Sequence, residues 1–298
     1  MKPSLHNFGA KEIFVINNPA NPERNLQFFK NWNSFSNFDY TSVLGPEGDK
    51  MTNSEVFDLI DEGFLEKFWC GEGAINKNII ACFLAHRSIW KQIKDRQNVE
   101  DGDYFLIMED DAIPTPYFLN HAFSNGEFYK ILELLKKEDV ELFWWGRATD
   151  KISGTQYNSL LKKPDIMHGL GAHAYMITQG IASRLYDTSS TMNFAADVFL
   201  DIFSDNLRRV YAPNFSFIRQ KQHLLKSRFF PKDHENRIWG SWTQPDWEDY
   251  DTRHRKGNYR NVPDSFFHFI DKAKSVQLHT GHQGIEFTFS KRPQNSLL

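Results

Sequence analysis

From residue 12 to about residue 212 the chain alternates between two textures. Short apolar runs that stop at polar or glycine residues read as buried strands, and between them lie segments whose apolar residues recur at helical spacing. The runs "EIFVIN" (12–17), "YTSVLG" (40–45), "YFLIM" (104–108), "ELFWWG" (141–146), "AHAYMIT" (172–178) and "RRVYA" (208–212) predict strands. Helices are predicted from Pro22 onward, with Asn21 as its cap, and over residues 54–68, 79–93, 128–137, 179–186 and 195–203. Such alternation implies an α/β fold, a mostly parallel sheet covered by helices, and such sheets bind ligands at the carboxyl ends of their strands. After about residue 228 the texture becomes polar, turn-rich and dotted with Trp and Tyr. That divides the chain into a core, 1–228, and an extension, 229–298, packed on the core or acting as a lid.

One strand ends in an unusual way. "YFLIMEDDAIP" runs from apolar residues straight into Glu109, Asp110 and Asp111. Adjacent carboxylates raise one another's pKa unless something positive sits among them, be it a metal, an arginine or only water. Alternation puts Glu109 and Asp111 on one side and Asp110 on the other. Oxygen ligands of this kind suit Mn²⁺ or Mg²⁺, which keep open positions for substrate phosphates; a solvated acidic turn is the plainer alternative. The P-loop pattern is absent, as is the G-x-S-x-G elbow. "GLGAHA" (169–174) fits a relaxed dinucleotide pattern but precedes a strand, so a glycine turn is the better reading. His279 and His282 in "HTGH" make only a weak zinc pattern.

Composition excludes some classes. A net charge of −3 gives no support to a nucleic-acid partner. Cys70 and Cys82 are the only cysteines, which is no disulfide framework and reads as two buried, reduced thiols. No apolar run is long enough to span a bilayer, and the first residues do not read as a signal peptide. A soluble, cytoplasmic protein is expected. Residues 208–237 carry eight basic side chains against two acidic ones, either a diphosphate-neutralising patch or a solvated face.

Taken in order, several segments resemble glycosyltransferase family 25, the lipopolysaccharide-type β-galactosyltransferases and their collagen-modifying relatives. They are "IFVINNPANPERNLQFF", "IIACFLAHRSIW", "YFLIMEDDAIP", "GAHAYMITQGIASRLY" and "AADVFLDIF", covering about residues 12–228. The resemblance implies a GT-A fold, with residues 1–228 as the nucleotide-sugar-binding catalytic domain. It implies a divalent metal, usually Mn²⁺, and inverting transfer of a hexose from a UDP-sugar to a glycan or protein hydroxyl. Carried over, Asp111 with Glu109 or Asp110 would hold the metal or the donor, and Asn17 and Arg24 would border the nucleotide. His86 and Arg87 would lie in the helix that closes the donor pocket, Asp197 would be the general base, and His223 would be a further metal ligand, with His279 and His282 as rivals for that place. Asp197 has an alternative as an acid favoured by a helix N-terminus, and His86 as a structural histidine. The chain departs from the family pattern at Asn18, Ile79 and Ala85. A non-catalytic glycan-binding protein and a metal-dependent phosphoesterase are the other classes considered. Trp239, Trp242, Trp247 and Tyr250 would either stack on sugar rings or pin the extension.

Overall fold

The computed structural model describes residues 7–18, 22–33, 38–65, 77–147, 151–166, 171–192 and 194–220. The boundary at 228, the extension 229–298, Asn21, Cys70, His223, the "HTGH" histidines and the four extension aromatics lie outside the described residues.

The strands are β1 (Glu12–Asn17), β2 (Thr41–Leu44), β3 (Tyr104–Glu109), β4 (Ala112–Pro114), β5 (Leu142–Trp144), β6 (Gly154–Gln156), β7 (Leu161–Pro164), β8 (Ala174–Thr178), β9 (Val210–Pro213) and β10 (Ile218–Gln220). The α-helices are α1 (Pro22–Asn33), α2 (Asn53–Asp61), α3 (Lys77–Lys94), α4 (Glu127–Lys137), α5 (Gln179–Thr188) and α6 (Ala196–Ser204). Eight strands form one sheet in the order β2-β1-β3-β8-β5-β9-β7-β6, and β4 pairs with β10 apart from it. The α/β expectation is met, with a mixed sheet. β1 is parallel to β2 and β3, and β5 to β9, whereas β8 runs against both β3 and β5. A parallel neighbour needs a long crossover, usually helical. The connection from β5 to β8 carries the antiparallel pair β6 and β7 and, among the described residues, no helix.

Strand alternation sorts the core into two layers. Ile13, Val15, Leu106 and Met108 face one side and pack with Phe28 and Trp32 of α1 and Phe128, Ile131 and Leu135 of α4. Phe14, Phe105 and Ile107 face the other, against α3, α5 and α6. The Phe-rich composition is spent here: Phe8 alone makes edge or stacked contacts with Trp32, Phe38, Phe118, Phe128 and Trp145. The route β1–α1–β2 covers one face and the return through α2 and α3 to β3 covers the other. The chain therefore reverses its winding between β1 and β3, the kind of place where open α/β sheets bind ligands at their carboxyl ends.

Gly146, just past β5, closes the floor of that region. A Cβ there would lie 1.7 Å from the Ile218 carbonyl oxygen and 2.9 Å from His173 Nε2. Only a residue without a side chain lets the β10 strand and the lead into β8 approach this closely.

The missed elements are β4, β6, β7, β10, the short 3-10 turns Asn7–Gly9 and Gly48–Lys50, and the short π-helical turn Phe118–Ala122. The strands among them are three or four residues long, too short to show a period.

Candidate functional site

Asn17 ends β1 and Glu109 ends β3, and the two strands are parallel neighbours with Ile16 opposite Glu109. The acidic triplet is held by backbone bonds on both sides. The Glu109 N–H donates to the His173 carbonyl (3.1 Å) and the Asp110 N–H to the Ile16 carbonyl (3.0 Å). The chain then turns into β4, whose Ala112 carbonyl accepts the Trp32 indole N–H (2.9 Å) and so ties α1 to the turn.

Glu109 continues the face of Phe105 and Ile107 and meets α3: His86 Nε2 lies 3.3 Å from its Oε1. Asp110 turns to the α1 face. Its Oδ2 accepts the Asn18 N–H (3.0 Å), and its Oδ1 lies 2.5 Å from Arg24 Nη2. The same Nη2 lies 2.7 Å from Asp111 Oδ2, which also accepts from the Gln220 side chain (3.1 Å). The positive group among these acids is therefore Arg24, in the first turns of α1. Two polar atoms in this knot are buried without a hydrogen-bond partner among the described residues: Asp111 Oδ1 and Arg24 Nε.

The charges sort accordingly. Burial would raise Glu109, but the His86 hydrogen bond and the nearby His173 and Arg24 outweigh it and hold the carboxyl below its usual value. Burial raises Asp110, against Arg24 and the Asn18 N–H. Asp111 is pushed up to about 7 by burial and by the charges of Glu109 and Asp110, with Arg24 opposing. Burial pulls Arg24 down, yet the three acids together carry it above its ordinary value.

Asp197 lies in the first turn of α6, which stacks on α3 through Phe199 against Phe83 and Trp90 (5.4 and 5.6 Å). It is close enough to Glu109 to feel its charge. Burial first, then Glu109 and Asp201, raise it to about 6, while the Val198 N–H (2.8 Å) opposes. Cys82, one turn before His86, is a half-buried free thiol raised well above its usual value by burial and by Glu109, Asp197 and Asp111. Ligand atoms of Cys82, His86 and Glu109 lie within 4.8 Å of one another, the group of metal-ligating type found among the described residues.

Asn17, Arg24, His86, Glu109, Asp110 and Asp111 thus gather beyond the ends of β1 and β3, and Asp197 joins them only through its charge interaction with Glu109. Arg87 does not: its Nε donates to the Ser189 carbonyl (3.0 Å) at the end of α5, and its guanidinium lies over Tyr186 and Phe64. Asn17 is 1% exposed and its amide donates to Ser42 Oγ (2.5 Å), so it braces β2 against β1 beside the triplet. Of the basic run, Arg208 and Arg209 give their backbone N–H groups to Glu141, remote from the triplet, and Arg209 pairs with Asp139 (2.8 Å). "GLGAHA" does lead into a strand: Ala174 opens β8.

The sequence reading missed Tyr175, Trp90, His173 and Gln220. Two signals were available. Cys82, His86 and Trp90 recur every four residues along α3, one helical stripe. His173 and Tyr175 are two apart, so they share a face of β8. Gln220 had no signal, because its place depends on the β4–β10 pairing.

The family model of glycosyltransferase family 25 (LPS biosynthesis protein) matches residues 10–200, well over half of the 298 residues. The chain belongs to glycosyltransferase family 25. Its chemistry is accordingly glycosyl transfer, between a sugar donor and an acceptor. The match ends within α6, so it takes in the whole triplet, His86 and Asp197. No curated protein matches the chain by sequence. Among the described residues no helix of this family-25 glycosyltransferase is long and apolar enough to cross a membrane.

Proposed function

We propose that this glycosyltransferase moves a hexose, galactose or glucose, from a UDP-sugar to a glycan or protein hydroxyl with inversion, using Mn²⁺ or Mg²⁺. The supporting observation is the pair of carboxylates, Asp110 and Asp111, drawn together on Arg24 Nη2 beyond the ends of β1 and β3, with Glu109 beside them on His86. The donor set fits a hard divalent cation, since Asp111 Oδ1 is buried with no hydrogen bond among the described residues. Asp110 and Asp111 would hold the ion, with the Glu109 charge beside them on the α3 side. When bound, it supplies Lewis-acid stabilisation of the charge that develops on the leaving diphosphate.

The remaining work falls to the chain's own residues. Arg24 brings a fork of donors whose Nε is unspent, a match for a diphosphate oxygen. Asn17 and Asn18, at the end of β1, border the place where the nucleotide lies. Asp197, with its carboxyl raised to about 6, is ionised at neutral pH yet basic enough to take the acceptor's proton. As that oxygen bonds to the anomeric carbon from the face opposite the diphosphate, the carbon–oxygen bond to the diphosphate breaks and its electron pair leaves with the phosphate. A reducing, cytoplasmic setting goes with this reading, since Cys82 is a free thiol.

The test is a panel of UDP-sugars assayed for hydrolysis and transfer, with and without Mn²⁺. One UDP-hexose is expected to be turned over in a metal-dependent way and to raise the melting temperature. Turnover of none, and stabilisation by none, would overturn the proposal. Binding of an acceptor glycan without any nucleotide would move the protein to the non-catalytic class.

A further inference from the structure

Tyr175 and Trp90 are fully buried, at 0% exposure, and their polar atoms form a chain that ends at the acidic triplet. The Trp90 indole N–H donates to the Tyr175 hydroxyl oxygen (2.9 Å). That hydroxyl lies 3.0 Å from His86 Nδ1, and His86 Nε2 lies 3.3 Å from Glu109 Oε1. His86 is itself 0% exposed. The rings stack loosely, with His86 5.7 Å from Tyr175 and 6.2 Å from Trp90.

The protons in this chain can be assigned from what each group is able to do. An indole N–H only donates, so the Tyr175 oxygen must accept from Trp90. Its own proton then needs an acceptor, and among the described residues the group within reach is His86 Nδ1. Nδ1 must therefore carry a lone pair, which puts the ring proton on Nε2. That N–H points at the Glu109 carboxylate. The opposite tautomer would set a lone pair against the carboxylate oxygen and strand the tyrosine proton in a dry core, where an unmade hydrogen bond is expensive.

We propose that Tyr175, held by Trp90, is a positioning residue that fixes His86 as its Nε2–H tautomer and so aims a hydrogen bond at Glu109. The role is second-hand: neither residue bonds to the triplet, and each acts through the imidazole. Glu109 is the hinge of the triplet, with one face toward α3 and its backbone tied to β8. Fixing its carboxylate fixes where its negative charge stands relative to Asp110 and Asp111. The functional consequence, though not the tautomer, rests on the UDP-sugar reading. The arrangement also decides against metal ligation by Cys82, His86 and Glu109. Such a site needs a lone pair on the nitrogen facing Glu109, and the Trp90–Tyr175 chain places a proton there.

The experiment is nitrogen-15 NMR of the full chain labelled at histidine, with the His86 signals assigned by their loss in His86→Gln. In the wild type, Nδ1 is expected in the lone-pair range and Nε2 in the N–H range. Tyr175→Phe is expected to shift both part of the way toward averaged values, since Glu109 alone then favours the proton on Nε2. Trp90→Phe/Tyr175→Phe removes the indole donor left stranded by the single change and is expected to give the same partly averaged signals. With UDP-galactose and Mn²⁺ as probe, both variants are expected to bind about 10–100-fold more weakly, the usual loss when an outer partner at a metal site is removed. A wild-type His86 with its proton on Nδ1, ring nitrogens unchanged in Tyr175→Phe, or a His86 proton displaced by added Zn²⁺ would each overturn the proposal. Absence of any UDP-galactose binding in the wild type would sink the proposed donor instead and leave the tautomer result standing.

Discussion

Asp197→Asn is expected to lower kcat by about 10²- to 10⁴-fold while the donor KM stays within a few-fold, the range for loss of a positioned proton acceptor. The residue sits at the start of α6, away from Arg24, Asp110 and Asp111, so the change should leave donor binding nearly intact. The pH dependence separates this role from that of a helix-terminal acid. With its carboxyl at about 6, the wild-type rate should fall as pH drops through that value, and the residual rate of the variant should lose that limb. Stability should move the other way. A carboxyl raised in the folded state binds its proton more tightly there than in the unfolded chain. Its charge is thus a cost that is fully present above about 6 and relieved as pH falls toward the ordinary value of 3.8. Asparagine carries no such charge. The variant should therefore be more stable than wild type at pH 8 by about 1–2 kcal/mol, after allowance for partial exposure, and lose that advantage near pH 4. A variant that keeps a tenth or more of the wild-type kcat, or keeps the acid limb, would remove Asp197 from the chemistry.

The fold was legible in the sequence wherever burial wrote a period. β1 and β3 are continuous apolar runs because both faces of the sheet are covered, and α3 declares itself through Ile79, Ile80, Phe83, Ile89, Trp90 and Ile93. The edge strand β6 and its neighbour β7 left no such mark, since "GTQ" and "LKKP" bury little beyond Leu161 and owe their conformation to pairing. The direction of β8 was equally hidden. An apolar run looks the same parallel or antiparallel, and its sense follows from the connection that precedes it. The site divides along the same line. Alternation foretold that Asp110 and Glu109 would part company, and they do, one to α1 and the other to α3, but it also put Asp111 with Glu109, whereas the turn after β3 sends Asp111 to Arg24 beside Asp110. What alternation could not foretell was the partner of each. Arg24 and Asp111 are eighty-seven residues apart in the chain and meet only because β1 lies beside β3 and Trp32 ties α1 to the turn after it.

Arg24→Met is expected to lower stability by about 3 kcal/mol, the low end for removing one member of a buried ion pair, because a fifth of the Arg24 side chain stays exposed. Asp110, 3% exposed at its side chain, and Asp111 would then face Glu109 without a counter-charge. Arg24 is an influence that lowers both acids, so its loss pushes Asp110 and Asp111 further up. Protonation relieves the repulsion. The part of the deficit that Asp111 carries should be full only above the variant's further-raised value and gone below about 7, where Asp111 of both proteins is protonated, while the part that Asp110 carries fades at lower pH. Mn²⁺ is the decisive addition. In the wild type an entering ion must compete with Arg24 Nη2, which already spans Asp110 Oδ1 and Asp111 Oδ2. In the variant it meets the same oxygens unopposed. At a hundred times its dissociation constant a bound ion contributes about 2.7 kcal/mol, enough to restore most of what the substitution removes. Denaturation midpoints of both proteins, with and without Mn²⁺, give the comparison directly. A larger Mn²⁺ shift in Arg24→Met than in the wild type means that guanidinium and metal use the same carboxylates. Equal shifts would place the ion elsewhere, and no loss of stability on substitution would mean that water, and not Arg24, satisfies the acids.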